Sequence, residues 1–200
     1  MAFDSPKPVA DDAPVVVAIV GSPRRHGNSS FLADVALDEL ARRGAAVEKI
    51  VLAEHRVLPC AGHDECEDFA ACPHDDDAAG LLERMYTADG LILATPVYYE
   101  NVAGQMKVFL DRSCFNNYHE VWLQARAVGL IAVAESTGLD DALDALRRFV
   151  ALASDHRVKP LAVSGRAYRE GDAERNSALV GEVRAMAVTM AAALRGAPTA

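Results

Sequence analysis

The run Val15-Val16-Val17-Ala18-Ile19-Val20, closed off by Pro14 and Gly21, is apolar at every position and mostly β-branched. A strand with one wet face alternates apolar and polar residues, so an unbroken run is expected where both faces of a parallel sheet are covered. Phe31, Leu32, Val35, Ala36 and Leu40 then recur at helical spacing, and Gly44 supplies a stop. The unit recurs along the chain. Val47 to Leu52 reads as a second strand, Asp76 to Ala88 as a helix, and Gly90 to Ala94 as a third strand. Val102, Met106, Phe109 and Leu110 mark one helix face, and Ala127 to Ala134 a fourth strand. Asp140 to Ala153 predicts a helix, Arg157 to Val163 a fifth strand, and Asp172 to Leu194 a long closing helix. Five strands alternating with five helices predict one α/β domain over residues 15–196, a doubly wound parallel sheet with helices on both faces.

Right-handed crossovers in a five-stranded sheet commonly give the flavodoxin-like order. Its ligands lie beyond the carboxyl ends of the strands, here the loops after the first, third and fourth. The 200 residues, 51% of them hydrophobic, suit a single core. Residues 1–14, rich in Asp, Pro and Ala, are expected to be a flexible lead-in. A net charge of −9 argues against nucleic acid or an anionic membrane as partner, so any anion must be bound locally. With no signal-like opening and no uninterrupted apolar stretch of membrane-spanning length, a cytoplasmic location is expected.

Gly21-Ser22-Pro23-Arg24-Arg25-His26-Gly27-Asn28-Ser29-Ser30 joins the first strand to a helix. Hydroxyls, guanidiniums and free N–H groups at the positive end of a helix suit a phosphate, although a plain N-cap flanked by surface arginines fits the same residues. There is no Lys after Gly27, as a nucleotide-triphosphate loop needs, and no Gly-x-Gly-x-x-Gly. Beyond the third strand, Thr95-Pro96-Val97-Tyr98-Tyr99-Glu100-Asn101 offers a proline expected to stop the ladder, and two tyrosines whose flat faces suit a planar ring. Glu135-Ser136-Thr137-Gly138 follows the fourth strand, where backbone N–H groups can approach a ligand.

Gly-Ser-Pro-Arg-x-x-Gly-Asn-Ser at 21–29, with Pro-x-Tyr-Tyr at 96–99 leading to Lys-x-x-x-Asp-Arg at 107–112, resembles the NAD(P)H-dependent FMN reductases and the related iron–sulfur flavoproteins. The resemblance implies that Ser22, Arg24, Asn28 and Ser29 hold the FMN phosphate, with Ser30 close by. Pro96, Val97, Tyr98, Tyr99 and Asn101 would pass the ring, and Ser136, Thr137 and Gly138 would lie at its pyrimidine edge. It further implies hydride transfer from NAD(P)H to FMN, a small acceptor such as free flavin or a quinone, and a homodimer or tetramer. Asp111 and Arg112 would pair across the subunit boundary, and the aromatic segment from Phe115 to Trp122 would supply apolar contact surface.

Cys60, His63, Cys66 and Cys72 match the compact cysteine spacing of the iron–sulfur flavoproteins except that His63 stands where a second Cys belongs. Such clusters are normally held by four thiolates, so a metal-free thiol loop is the favoured reading, with a cluster or zinc as alternatives. Two further readings of the whole chain stay open: an electron carrier with a cluster at 60–72, and a non-enzymatic interaction protein of the same fold.

Overall fold

A computed structural model describes residues 12–64 and 66–196. Most of the expected 1–14 lead-in therefore lies outside the described residues. The chain alternates β1 (Val15–Val20), α1 (Asn28–Arg42), β2 (Ala46–Val51), α2 (Ala78–Thr87), β3 (Gly90–Tyr98), β4 (Asn101–Val102), α3 (Gly104–Asp111), α4 (Cys114–Tyr118), β5 (Ala127–Ala134), α5 (Leu139–Ala153), β6 (Leu161–Arg166), α6 (Asp172–Arg175) and α7 (Ser177–Leu194). The sheet order is β2-β1-β3-β5-β6, all parallel, with β4 pairing antiparallel to β3. This is the expected flavodoxin-like order. Val16 to Val20, Leu91 to Ala94 and Leu130 to Ala132 are almost fully buried because one core lies under α1 and α7 and another under α2, α3 and α5.

Several expected boundaries move. β3 runs on past Ala94 and through Pro96, which pairs with Val133 in β5. The Ala94 carbonyl accepts from the Gly21 N–H at 2.8 Å, so Ala94, and Pro96 two residues on, face the β1 side, where β1 has ended at Val20. The missing N–H of Pro96 thus falls on a free edge and interrupts no ladder. Val102, expected on a helix face, belongs to β4; Met106, Phe109 and Leu110 are the buried stripe of α3. The last strand begins at Leu161 rather than Arg157, since Asp155 and His156 are left-handed and the Arg157 N–H returns to the Ser154 carbonyl.

The closing helix is broken at Asn176, whose side chain accepts from the Leu179 N–H at 3.1 Å and restarts the chain as α7. By length and composition α7 could cross a membrane. It also carries Glu182 and Arg184, and its Leu179, Val183, Met186, Met190 and Leu194 are buried in the core.

Candidate functional site

The loop from Gly21 to Gly27 leaves β1 pressed against α3: a Cβ at Gly21 would lie 2.6 Å from the Met106 Cβ. Ser22 is buried, and its Oγ accepts from the Arg24 N–H at 3.0 Å, which curls the loop. A Cβ at Gly27 would come within 3.0 Å of that same Oγ. No side chain caps α1, so the first N–H groups of the helix point out of its end without intrahelical acceptors. Beside them the Ser29 Oγ is buried with no hydrogen-bond partner, and the Arg24 side chain has no ion pair among the described residues. A buried hydroxyl left unsatisfied costs about 1–3 kcal/mol, and this one stands with the free helix N–H groups and the Arg24 guanidinium in a donor set that fits a phosphate.

Ser22, Arg24, Gly27, Asn28 and Ser29 line one cleft together with Pro96, Val97, Tyr98, Val133, Glu135, Ala167 and Tyr168. Asn28 lines it with both polar ends of its side chain already engaged. Its Nδ2 donates to the Arg169 carbonyl at 2.9 Å and its Oδ1 accepts from the Ala173 N–H at 3.1 Å, clasping the start of α1 to the loop before α6. Ser30 does not line the cleft; its Oγ lies 3.4 Å from the Lys49 Nζ.

At the end of β3 the chain turns back through Tyr99 and Glu100, both left-handed with φ of 48° and 59°. A two-residue hairpin needs that geometry, which Tyr and Glu adopt only under strain. The neighbours hold it. Glu100 accepts from the Thr137 hydroxyl at 2.6 Å, and Gly138, itself at φ +81°, sits so close that a Cβ would lie 2.7 Å from the Glu100 Cα. At the base of the hairpin the Thr95 hydroxyl donates to the Pro96 carbonyl at 2.8 Å and accepts from the Ala103 N–H at 3.0 Å. Tyr98 is half-exposed into the cleft, whereas Tyr99 stands free at the hairpin tip. Asn101, Ser136 and Thr137 are exposed and do not line the cleft; Thr137 and Gly138 instead buttress its hairpin wall through Glu100.

The loop after β6 is a wall that the sequence reading missed, because the fifth strand was expected to end at Val163, three residues early. Its shape comes from Asp172, which accepts from the Tyr168 and Arg169 N–H groups at 3.0 and 2.6 Å. Those N–H groups, Arg169 foremost, together with the Arg175 guanidinium hold the Asp172 carboxyl below the usual carboxylate range.

The 58–76 segment is organised by a side chain expected to face a partner. Arg112 is buried in its own chain; Nη1 meets the Asp76 carboxylate at 2.5 Å and the Leu58 carbonyl at 3.0 Å, and Nη2 donates to the Cys72 Sγ at 3.1 Å. Asp111 pairs instead with Lys107. Burial pushes the Asp76 carboxyl up, but the hydrogen bonds from Arg112 and from the Leu58 and Ala78 N–H groups outweigh it and hold the group low. Cys60 is exposed, Cys66 buried, and the His63 ring packs edge-on against Phe69 at 5.7 Å. Among the described residues no three Cys, His, Asp or Glu side chains converge on a common point where a metal ion could bind. As placed, Cys60, His63, Cys66 and Cys72 do not fit an iron–sulfur cluster.

In sequence, residues 14–167 match the family described as NADPH-dependent FMN reductase. An iron–sulfur flavoprotein of Methanocaldococcus jannaschii is 42% identical over 98 residues, 49% of this chain and 51% of that protein. The chain spans about half the length of the relatives it matches in this way. Among solved structures, RosB with bound 8-demethyl-8-formylriboflavin-5′-phosphate superposes with a TM-score of 0.75 at 16% identity, covering 92% of this chain and 80% of that one. The NAD(P)H:quinone oxidoreductase from Methanothermobacter marburgensis gives a TM-score of 0.68 at 17% identity, covering 88% and 96%. At such identities these structures speak for the fold alone. The sequence match runs from the start of β1 through β6 and takes in the cleft loops after β1, β3 and β5, ending one residue before Tyr168: the chain belongs to the NADPH-dependent FMN reductase family.

Proposed function

We propose that this chain is an FMN-dependent oxidoreductase that accepts hydride from NAD(P)H and passes the electrons to a small acceptor such as free flavin, a quinone or another small aromatic. The observation that carries the reading is the unsatisfied Ser29 hydroxyl at the uncapped end of α1, in one cleft with Arg24, Ser22 and the Pro96–Tyr98 edge. Family membership supports it.

Bound FMN would supply the hydride-accepting and electron-releasing chemistry. The chain's part is to bind and orient. Ser29, the α1 N–H groups and the Arg24 guanidinium would hold the phosphate, with Ser22 fixing the loop that carries them. The Pro96, Val97 and Tyr98 edge and Tyr168 line the same cleft and would flank a planar ring. Thr95, Thr137 and Gly138 keep the hairpin wall in place.

The test is reconstitution with FMN followed by nicotinamide oxidation in the presence of an acceptor. Ser22→Ala with Arg24→Ala should weaken FMN binding at least tenfold, since a charge-assisted phosphate contact contributes about 1.5–3 kcal/mol. Unchanged FMN affinity in that double variant would remove the assignment. Iron in anaerobically purified protein should stay below roughly one per chain, as the thiol placement does not suit four-thiolate ligation. Stoichiometric iron that is lost in Cys60→Ser would replace the proposal with an electron-carrier reading.

A further inference from the structure

A second hollow, of about 600 Å³, opens on the far side of Tyr168. Arg166, Arg175, Asn176 and Ser177 line it, and it shares Glu135, Ala167 and Tyr168 with the flavin cleft, so the two form one continuous depression. Two guanidiniums, Arg166 and Arg175, and two carboxylates, Asp172 and Glu135, line it. The chain is net −9, and on the other flank of the cleft a hollow at His26 and Asn28 is rimmed by Asp34, Glu170 and Glu174. Near the hollow, Arg175 gives one donor to Asp172 at 2.5 Å, while Arg166 has neither an ion pair nor a side-chain hydrogen bond among the described residues. A guanidinium carries five N–H donors in a fixed fork, so Arg175 keeps donors free and Arg166 keeps all of its own. Of the two carboxylates, Asp172 is already engaged by Arg175 and by the Tyr168 and Arg169 N–H groups, and Glu135 stands on the wall shared with the flavin cleft, which leaves Arg166 as the guanidinium unpaired among the described residues.

The flavin phosphate is accounted for by the loop after β1. A dinucleotide hydride donor brings additional phosphates that an acidic protein must meet with local cations. We propose that the hollow beside Tyr168 receives a phosphate of the nicotinamide nucleotide, with Arg166 as its main contact and Arg175 as the second. The inference rests on the hydride-donor reading above and names the residues by which that donor is recognised. The pyrophosphate and an adenosine 2′-phosphate share the chemistry that Arg166 would read, and the experiment separates them.

FMN-loaded protein is titrated calorimetrically with adenosine 2′,5′-bisphosphate and, separately, with ADP. Binding of the bisphosphate but not of ADP assigns the hollow to the 2′-phosphate and entails a preference for NADPH; similar binding of both assigns it to the pyrophosphate. In either case Arg166→Ala should weaken the bound probe roughly tenfold or more, and Arg166→Lys should restore part of the loss, because a point charge replaces a fork. Arg148→Ala, on the exposed face of α5, should leave probe binding unchanged. Failure of both probes to bind, or equal binding to wild type and Arg166→Ala, overturns the proposal. FMN affinity is measured in the same preparations: a protein that binds no FMN fails the flavin reading itself, whereas normal FMN binding with indifferent probes fails only the assignment of the hollow.

Discussion

Arg112 and Asp76 form a salt bridge whose side chains are 2% and 0% exposed, and removing one partner of such a pair leaves the other as a buried, uncompensated charge. Arg112→Ala should therefore destabilise the fold by about 3–5 kcal/mol in urea unfolding, and release the Leu58 and Cys72 contacts with it. Because the folded-state Asp76 carboxyl is held low, its contribution is present in full above the ordinary carboxylate range and is lost as pH falls through and below about 4. A stability profile in which wild type and Asp76→Asn stay a constant distance apart from pH 6 to 3 would refute that role. Ser29→Ala should act in opposite senses on two measurements: the empty protein keeps or gains stability because an unsatisfied hydroxyl is gone, while FMN binds more weakly. Ser29 was singled out only through the family resemblance, since a plain N-cap suits a hydroxyl at a helix start equally well. The placement of Arg112 was not legible: nothing in a Lys-x-x-x-Asp-Arg pattern says which of its charges turns inward, and that depends on Asp76, a residue from another crossover.

The sheet was legible because strands buried on both faces must be apolar throughout, and β1, β3 and β5 are. β6 was misplaced for a related reason: as an edge strand it is largely exposed, so Leu161 to Arg166 lacks the continuous apolar run that marks the interior strands. The hairpin at Tyr99 and Glu100 was also hidden, because two-residue turns of this kind usually announce themselves with Asn-Gly or Asp-Gly. Here its strain is met by the loop that follows β5, and Gly138 is where the two touch. Gly138→Ala combines a left-handed backbone with a contact of 2.7 Å to a backbone atom, and should lower stability by about 1–3 kcal/mol while weakening FMN through the displaced Tyr98 wall. Loss of stability with FMN affinity intact would mean that the hairpin is not held from this side.

Across the molecule, one flank away from the cleft carries Tyr118, Val121 and Leu152 at 54%, 45% and 64% exposure, next to an apolar hollow walled by Leu110, Phe149 and Ala153. Apolar clusters of this kind tend to mark interfaces. We propose that this flank joins two copies of the chain, through α4 and α5 rather than through Arg112, which is committed internally. Sedimentation at micromolar concentration should give about twice the 21.4 kDa chain mass, and Leu152→Asp should return it to one chain. A single-chain species that binds FMN normally would leave the flank without that role.

The Asn28 clasp gives these parts a common timetable. Both polar ends of its side chain are tied to the segment that presents Tyr168 and leads into α6, so the loop that grips one ligand cannot tighten without steadying the segment that would greet the next. Occupancy of the first should then slow amide exchange at Ala173, and Asn28→Ala should abolish that slowing. Such a coupling would make order of arrival a property of the fold, with the resident group settling first and readying the landing place for the visitor.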